Sequence, residues 1–189
     1  MNFRKNLRKF WSFLKRDTWQ SWLVSLILAF LFIKFIFFPV LSLIFSTPLP
    51  LVVVESCSMY HSTDFDDWWK RNEAWYEDKL IFRENFEKFS FKNGLNKGDI
   101  ILVSGWGDIE IGSVIIFESS FRFPLIHRVI EKDPIGTKGD NNFDQLPPEK
   151  EISSDKIKGK AVIRVPALGW IKLIFFEATK PANQRGFCR

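Results

Sequence analysis

The chain has 189 residues, enough for one domain and a small appendage. Its net charge of +5 sits in residues 1–20, where Arg4, Lys5, Arg8, Lys9, Lys15 and Arg16 face Asp17 alone; the remainder carries 21 bases and 21 acids, which argues against a nucleic-acid-binding surface. Two cysteines, Cys57 and Cys188, are too few for a disulfide framework or a zinc site, and they read as free thiols.

Residues 1–20 form a basic juxtamembrane segment of the kind found on the cytoplasmic side of a bilayer. Residues 21–46 are almost continuously apolar and exceed the roughly 20 residues that span a hydrocarbon core. Phe, Ile and Leu continue to Phe45, which favours an uncleaved anchor over a signal peptide. Lys34 lies within the span, where a snorkelling side chain or a contact with a partner helix would accommodate it. Pro39 predicts a kink. The charge asymmetry predicts a cytoplasmic N-terminus, with residues 47–189 outside a cell membrane crossed once.

Beyond the span, short β-branched runs recur at Leu51–Val54, Ile100–Val103, Val114–Phe117, Leu125–Ile130 and Ala161–Val165, separated by Gly, Pro, Asn and Asp. This predicts a mainly β domain. Residues 62–93 interrupt it. Trp68, Trp75, Phe82 and Phe89 recur every seven residues among charges, which predicts an amphipathic helix or two, capped by Ser62 or Thr63 and stopped by Gly94. An aromatic stripe packed on the β core explains the pattern, and a lid near the bilayer is the functional alternative. Residues 168–176 are too short to span; they dock on the surface or close the core.

Three segments carry chemistry: Glu55-Ser56-Cys57-Ser58-Met59, Ile126-His127-Arg128-Val129 and Thr137-Lys138-Gly139-Asp140-Asn141-Asn142. Each follows or ends a β-type run, and together they supply a serine, a histidine and an aspartate. With Lys97-Gly98-Asp99-Ile100-Ile101 between the first two, their order resembles that of the type I signal peptidases. The match runs from about residue 22 to residue 173, with 62–93 outside the usual pattern. His127 stands where bacterial members carry lysine, which makes the chain similar to the archaeal and endoplasmic-reticulum branch; the archaeal cell membrane is the favoured location. Cys57 replaces the family's glycine after the first serine, and His61 replaces its proline and is read as a loop residue.

The resemblance implies a signal-peptidase-like β domain with one N-terminal transmembrane helix. The implied function is a membrane-bound serine endopeptidase that removes signal peptides from exported preproteins. Ser58 is the implied nucleophile and His127 the general base. The Ser58 N–H and the Ser56 hydroxyl are the implied oxyanion donors. Asp140 is the first candidate to orient His127 and Asp144 the second, because the family's later aspartate position holds Leu146. Asp99 reads as a turn residue. The expected partners are signal-peptide-bearing preproteins and the lipid bilayer, with the Sec translocon a further candidate and no nucleic acid. No cofactor or metal is implied. The alternative is a catalytically inactive membrane-anchored interaction subunit of the same fold.

Overall fold

The structure, a computed structural model, describes residues 3–121 and 123–188. The chain divides into two units, one ending at Ile44 and one beginning at Phe45.

In the first unit, α1 (Phe3–Leu14) carries Leu7, Phe10, Trp11 and Leu14 on one stripe and Arg4, Lys5, Arg8 and Lys9 on the other. A short turn leads to α2 (Trp19–Phe32), whose N-cap Thr18 accepts from the Ser21 N–H. The helix continues through a π-helical turn, Ile33–Phe37, into α3 (Phe38–Phe45). Pro39 has no N–H to give the preceding turn, and the local register widens so that the Phe38 N–H reaches the Ile33 carbonyl. Lys34 lies in that widened turn, its ammonium 5.4 Å from the centre of the Phe35 ring. The 27 residues Trp19–Phe45 are long and apolar enough to cross a membrane.

The second unit is built on a six-stranded antiparallel sheet of β1 (Leu51–Val53), β2 (Ile100–Ser104), β3 (Val114–Phe117), β4 (Leu125–Lys132), β5 (Ile135–Lys138) and β6 (Ile157–Val165). Its spatial order is β1-β2-β6-β3-β4-β5. Helices α4 (Phe65–Asp78) and α5 (Arg83–Phe86) lie between β1 and β2 in sequence, and α6 (Trp170–Glu177) follows β6. Over the described residues about 19% of the chain is strand and 39% helix, so the sheet is the frame while helix is the larger fraction.

Strand alternation gives the sheet two apolar faces. Val114 and Ile116 join Met59, Leu95, Ile101 and Val103 in one cluster; Ile115 and Phe117 join Val129 and Ile152 in another. The aromatic insert makes a third, in which Trp68, Trp69, Tyr76, Ile81 and Phe86 pack with Ile130 of β4. Of the four residues expected in the stripe, Trp68 is buried in this cluster, Trp75 and Phe89 are partly buried against it, and Phe82 is exposed. The N-cap of α4 is Asp64, which accepts from the Asp67 N–H at 2.9 Å, in place of Ser62 or Thr63. Leu80, at φ +57°, separates the two helices.

The cysteines correct the expectation of free thiols. Cys57 and Cys188 form a disulfide across 131 residues of chain. After α6 the chain turns back to the loop that follows β1, a proximity that sequence separation conceals.

Candidate functional site

Ser58 sits in a turn just beyond β1. The strand is pinned by Val54 N–H to Asp99 O at 2.9 Å, and buried Met59 anchors the far side through Leu95 N–H to Met59 O at 2.8 Å. Between these fixed points the Ser58 carbonyl accepts from the Asn141 N–H at 2.8 Å and the Cys57 carbonyl from Asn141 Nδ2 at 3.1 Å. The half-buried Ser58 hydroxyl is thereby aimed at β4. Its Oγ lies 2.8 Å from His127 Nε2 and 3.1 Å from Ser56 Oγ.

His127 is buried on β4, paired across the ladder with Ile115. Its Nδ1 bonds the carboxylate of Glu149, at the end of a 3₁₀ turn Pro147–Glu149. Glu149 is wholly buried and its own oxygens are satisfied: Oε1 also accepts from the Thr137 hydroxyl at 3.1 Å, and Oε2 from the Leu146 N–H at 2.7 Å. A carboxylate can only accept, so the neutral imidazole carries its proton on Nδ1 and presents a bare Nε2 to Ser58. The result is a connected serine hydroxyl, imidazole and carboxylate, the arrangement that moves a proton off an attacking oxygen.

Gly139 is required by this contact. A Cβ there would lie 2.8 Å from the Ser58 carbonyl oxygen and 2.9 Å from His127 Nε2.

Neither aspartate expected to orient His127 does so. Asp140 is buried against Arg128, with Oδ1 2.9 Å from Nε and Oδ2 2.7 Å from Nη2, and Oδ2 lies 3.0 Å from His61 Nε2. The reason is alternation: His127 and Arg128 are consecutive on a strand and project to opposite faces. Thr137 and Glu149 serve the face of His127, and Asp140 that of Arg128. Burial alone would raise the Asp140 carboxyl; the Arg128 guanidinium and His61 outweigh it and hold it well below the usual carboxylate range. Asp144 is exposed, accepting from the Trp75 indole N–H at 3.2 Å and the Gln145 N–H at 2.8 Å.

Arg128 uses all five of its donors. Besides Asp140 it reaches the carbonyls of Ser90, Gly112 and Phe91 at 2.8–3.0 Å, over the face of Phe86. His61 lies in the loop between β1 and α4, as expected, and is buried there, stacked on Trp68 at 3.8 Å and part of the Asp140 network. Asp99 behaves as a turn residue, accepting from the Asn96 N–H at 2.7 Å and pairing with Arg164. Cys57 is oxidised, so its sulfur is not a rival nucleophile to Ser58.

Glu149 and Thr137 are the site residues that sequence reasoning did not nominate. Glu149 stands in a Glu-Lys-Glu run that reads as solvated surface, and only the Pro-Pro pair before it hints at a fixed turn. Among the described residues no group of His, Cys, Asp and Glu is arranged to hold a metal. No protein-family model matches the chain, and the comparison with curated proteins returned no match.

Proposed function

We propose that the chain is a membrane-anchored serine endopeptidase acting on exported preproteins, with Ser58 as nucleophile, His127 as base and Glu149 as the carboxylate behind it. The observation that carries this reading is the Ser58 Oγ–His127 Nε2 contact of 2.8 Å, backed by Glu149 on the opposite ring nitrogen. The order of the serine, His-Arg and Gly-Asp-Asn-Asn segments after one apolar helix supports signal peptides as the substrate class.

In the forward step the Ser58 oxygen attacks the scissile carbonyl as its proton passes to His127 Nε2. The imidazolium then formed faces the Glu149 carboxylate, which stabilises it. The developing oxyanion would take donors from the Ser58 N–H and the Ser56 hydroxyl, whose oxygen already lies 3.1 Å from Ser58 Oγ. His127 returns the proton to the leaving amine. Water, deprotonated by the same nitrogen, then releases the acyl group and regenerates the serine. A connected, satisfied hydroxyl–imidazole–carboxylate set favours this over the inactive-subunit reading.

Membrane attachment is part of the proposal. Helix α1 suits the interface, with an apolar stripe for acyl chains and a basic face for anionic headgroups, joined by a short turn to the candidate span.

The test is cleavage of a labelled preprotein by the detergent-solubilised chain. Ser58→Ala should abolish cleavage with folding intact, and Ser56→Ala should slow it by about 10²–10³. Full turnover by Ser58→Ala would refute the assignment.

A further inference from the structure

The tail after α6 is held to the turn before β2, to α6 and to the loop that carries Ser58. Lys97, buried, directs its ammonium to Glu177 Oε2 at 2.8 Å, the Gln184 carbonyl at 2.7 Å and the Gly186 carbonyl at 2.9 Å, so that its three donors are all spent on this region. The Gly186 N–H returns to Glu177 Oε2 at 2.7 Å, and Phe187 packs on Trp170 with ring centres 4.5 Å apart. Arg185 holds the tail's own turn through the Lys180 and Ala178 carbonyls at 2.7 and 2.9 Å. Burial would raise the Glu177 carboxyl, but Lys97, the Gly186 N–H and Lys180 outweigh it and hold it at about 2.

Two further ties from the tail and one from α6 reach the residues just before Ser58. Lys180 Nζ donates to the Glu55 carbonyl at 3.1 Å, and Lys172 pairs with the Glu55 carboxylate at 2.9 Å. Cys188 is bonded to Cys57, the residue preceding the nucleophile. The tail thus grips residues 55 and 57 on either side of Ser56, while Asn141 bonds the carbonyls of residues 57 and 58 and the Tyr60 N–H bonds that of Cys57.

We propose that residues 178–188 form a strap that orders the Ser56–Ser58 loop for catalysis, with the Cys57–Cys188 bond as its redox-sensitive fastening. The catalytic part rests on Ser58 being the nucleophile. A dithiol reductant would open the fastening: two electrons and two protons convert the disulfide to two thiols, and the reductant becomes a disulfide. The freed loop keeps its Asn141 bonds but loses the tether that fixes the spacing of Ser56 and Ser58. His127 and Glu149, held by β4 and the 3₁₀ turn, are untouched. Reduction should therefore lower kcat and spare KM, since the displaced groups act on the reacting carbonyl.

The experiment compares the full-length, detergent-solubilised chain, oxidised and treated with dithiothreitol, with Cys188→Ser. Preprotein cleavage and amide hydrogen exchange are both read. On reduction kcat should fall roughly 10–100-fold with KM within about twofold, and amides of residues 55–60 should exchange faster while those of β3 and β4 do not change. Cys188→Ser should match the reduced wild type and ignore the dithiol. Unchanged exchange at residues 55–60 on reduction overturns the strap, and reduced wild type supplies that result even if Cys188→Ser fails to fold. Faster exchange with an unchanged kcat overturns its catalytic role. Should no cleavage occur in either state, the peptidase reading fails, and the exchange data still decide whether the strap orders the loop.

Discussion

Glu149 and Asp140 are both buried acids next to the proposed machinery, and their partners assign them different work. Glu149→Gln preserves shape but removes the charge facing His127. It should lower kcat by about 10²–10⁴ with little change in KM. Asp140→Asn leaves the Arg128 guanidinium buried without its counter-charge and should cost about 3–5 kcal/mol of stability, read as a fall in thermal midpoint. The Asp140 carboxyl is depressed in the fold, so its contribution is present above its unfolded value and lost as pH falls through its folded one. Stability of the wild type should accordingly drop in acid more steeply than that of Asp140→Asn. The Lys138 ammonium is depressed as well, but there the charged form is the costly one. Burial pulls its ammonium down to about 8, against the pull of Asp140, Glu149 and Asp144, and the side chain is boxed by the rings of Trp75 and Tyr76. Below that pH the folded state bears the cost of the buried charge, and between it and the unfolded value near 10.4 stability rises with pH. Lys138→Met should raise the thermal midpoint at pH 7, with the gain shrinking as pH approaches 10. The sequence showed Ser58 and His127 because their segments are distinctive in order and context. It misdirected the third member because two acids close to a Gly-Asp-Asn turn outshone one in a charged run, and alternation along β4 then sent Asp140 to the other face.

At the scale of elements, five of the six described strands lie on the β-branched runs, whose side chains suit an extended, pleated surface. The missed one, β5, is Ile-Gly-Thr-Lys at the sheet edge, with a single large apolar residue to announce it. The recurrence of aromatics every seven residues announces α4, whereas α1 reads only as a basic segment and α6 only as an apolar stretch, which is why the sequence understates the helix. In α6 only Leu173 is buried, while Ile171, Ile174 and Phe175 are exposed. The packing of α4 carries its own expectation. Trp69 is 2% exposed among Phe65, Trp68, Tyr76 and Phe86. Trp69→Ala should destabilise the domain by about 3–5 kcal/mol, detectable by denaturant unfolding. Because Tyr76 also donates to Asp140 at 3.4 Å, loosening this helix should reach the Arg128 network. Gly139→Ala tests a turn at the same scale: its added methyl should slow catalysis by pushing Ser58 and His127 apart, with the sheet preserved.

For the whole molecule, the distribution of charge and apolarity makes a prediction that the fold leaves open. With six bases before the span and a neutral remainder, the N-terminus should stay inside and residues 47–189 outside. In right-side-out vesicles, external protease should remove a C-terminal tag and spare an N-terminal one. The reverse pattern would rule out the processing of exported proteins.

The sheet order has a consequence for timing. Among the described strands β6 comes last in sequence, yet it lies in the middle, with β1 and β2 on one flank and β3, β4 and β5 on the other. Ser58 hangs from the first flank and His127 from the second. A nascent chain that has not yet released residues 157–165 holds both partners of that contact and lacks the strand that joins their supports. If the chain acts as proposed, the Ser58–His127 pair is therefore assembled only once residues 157–165 are available to the sheet.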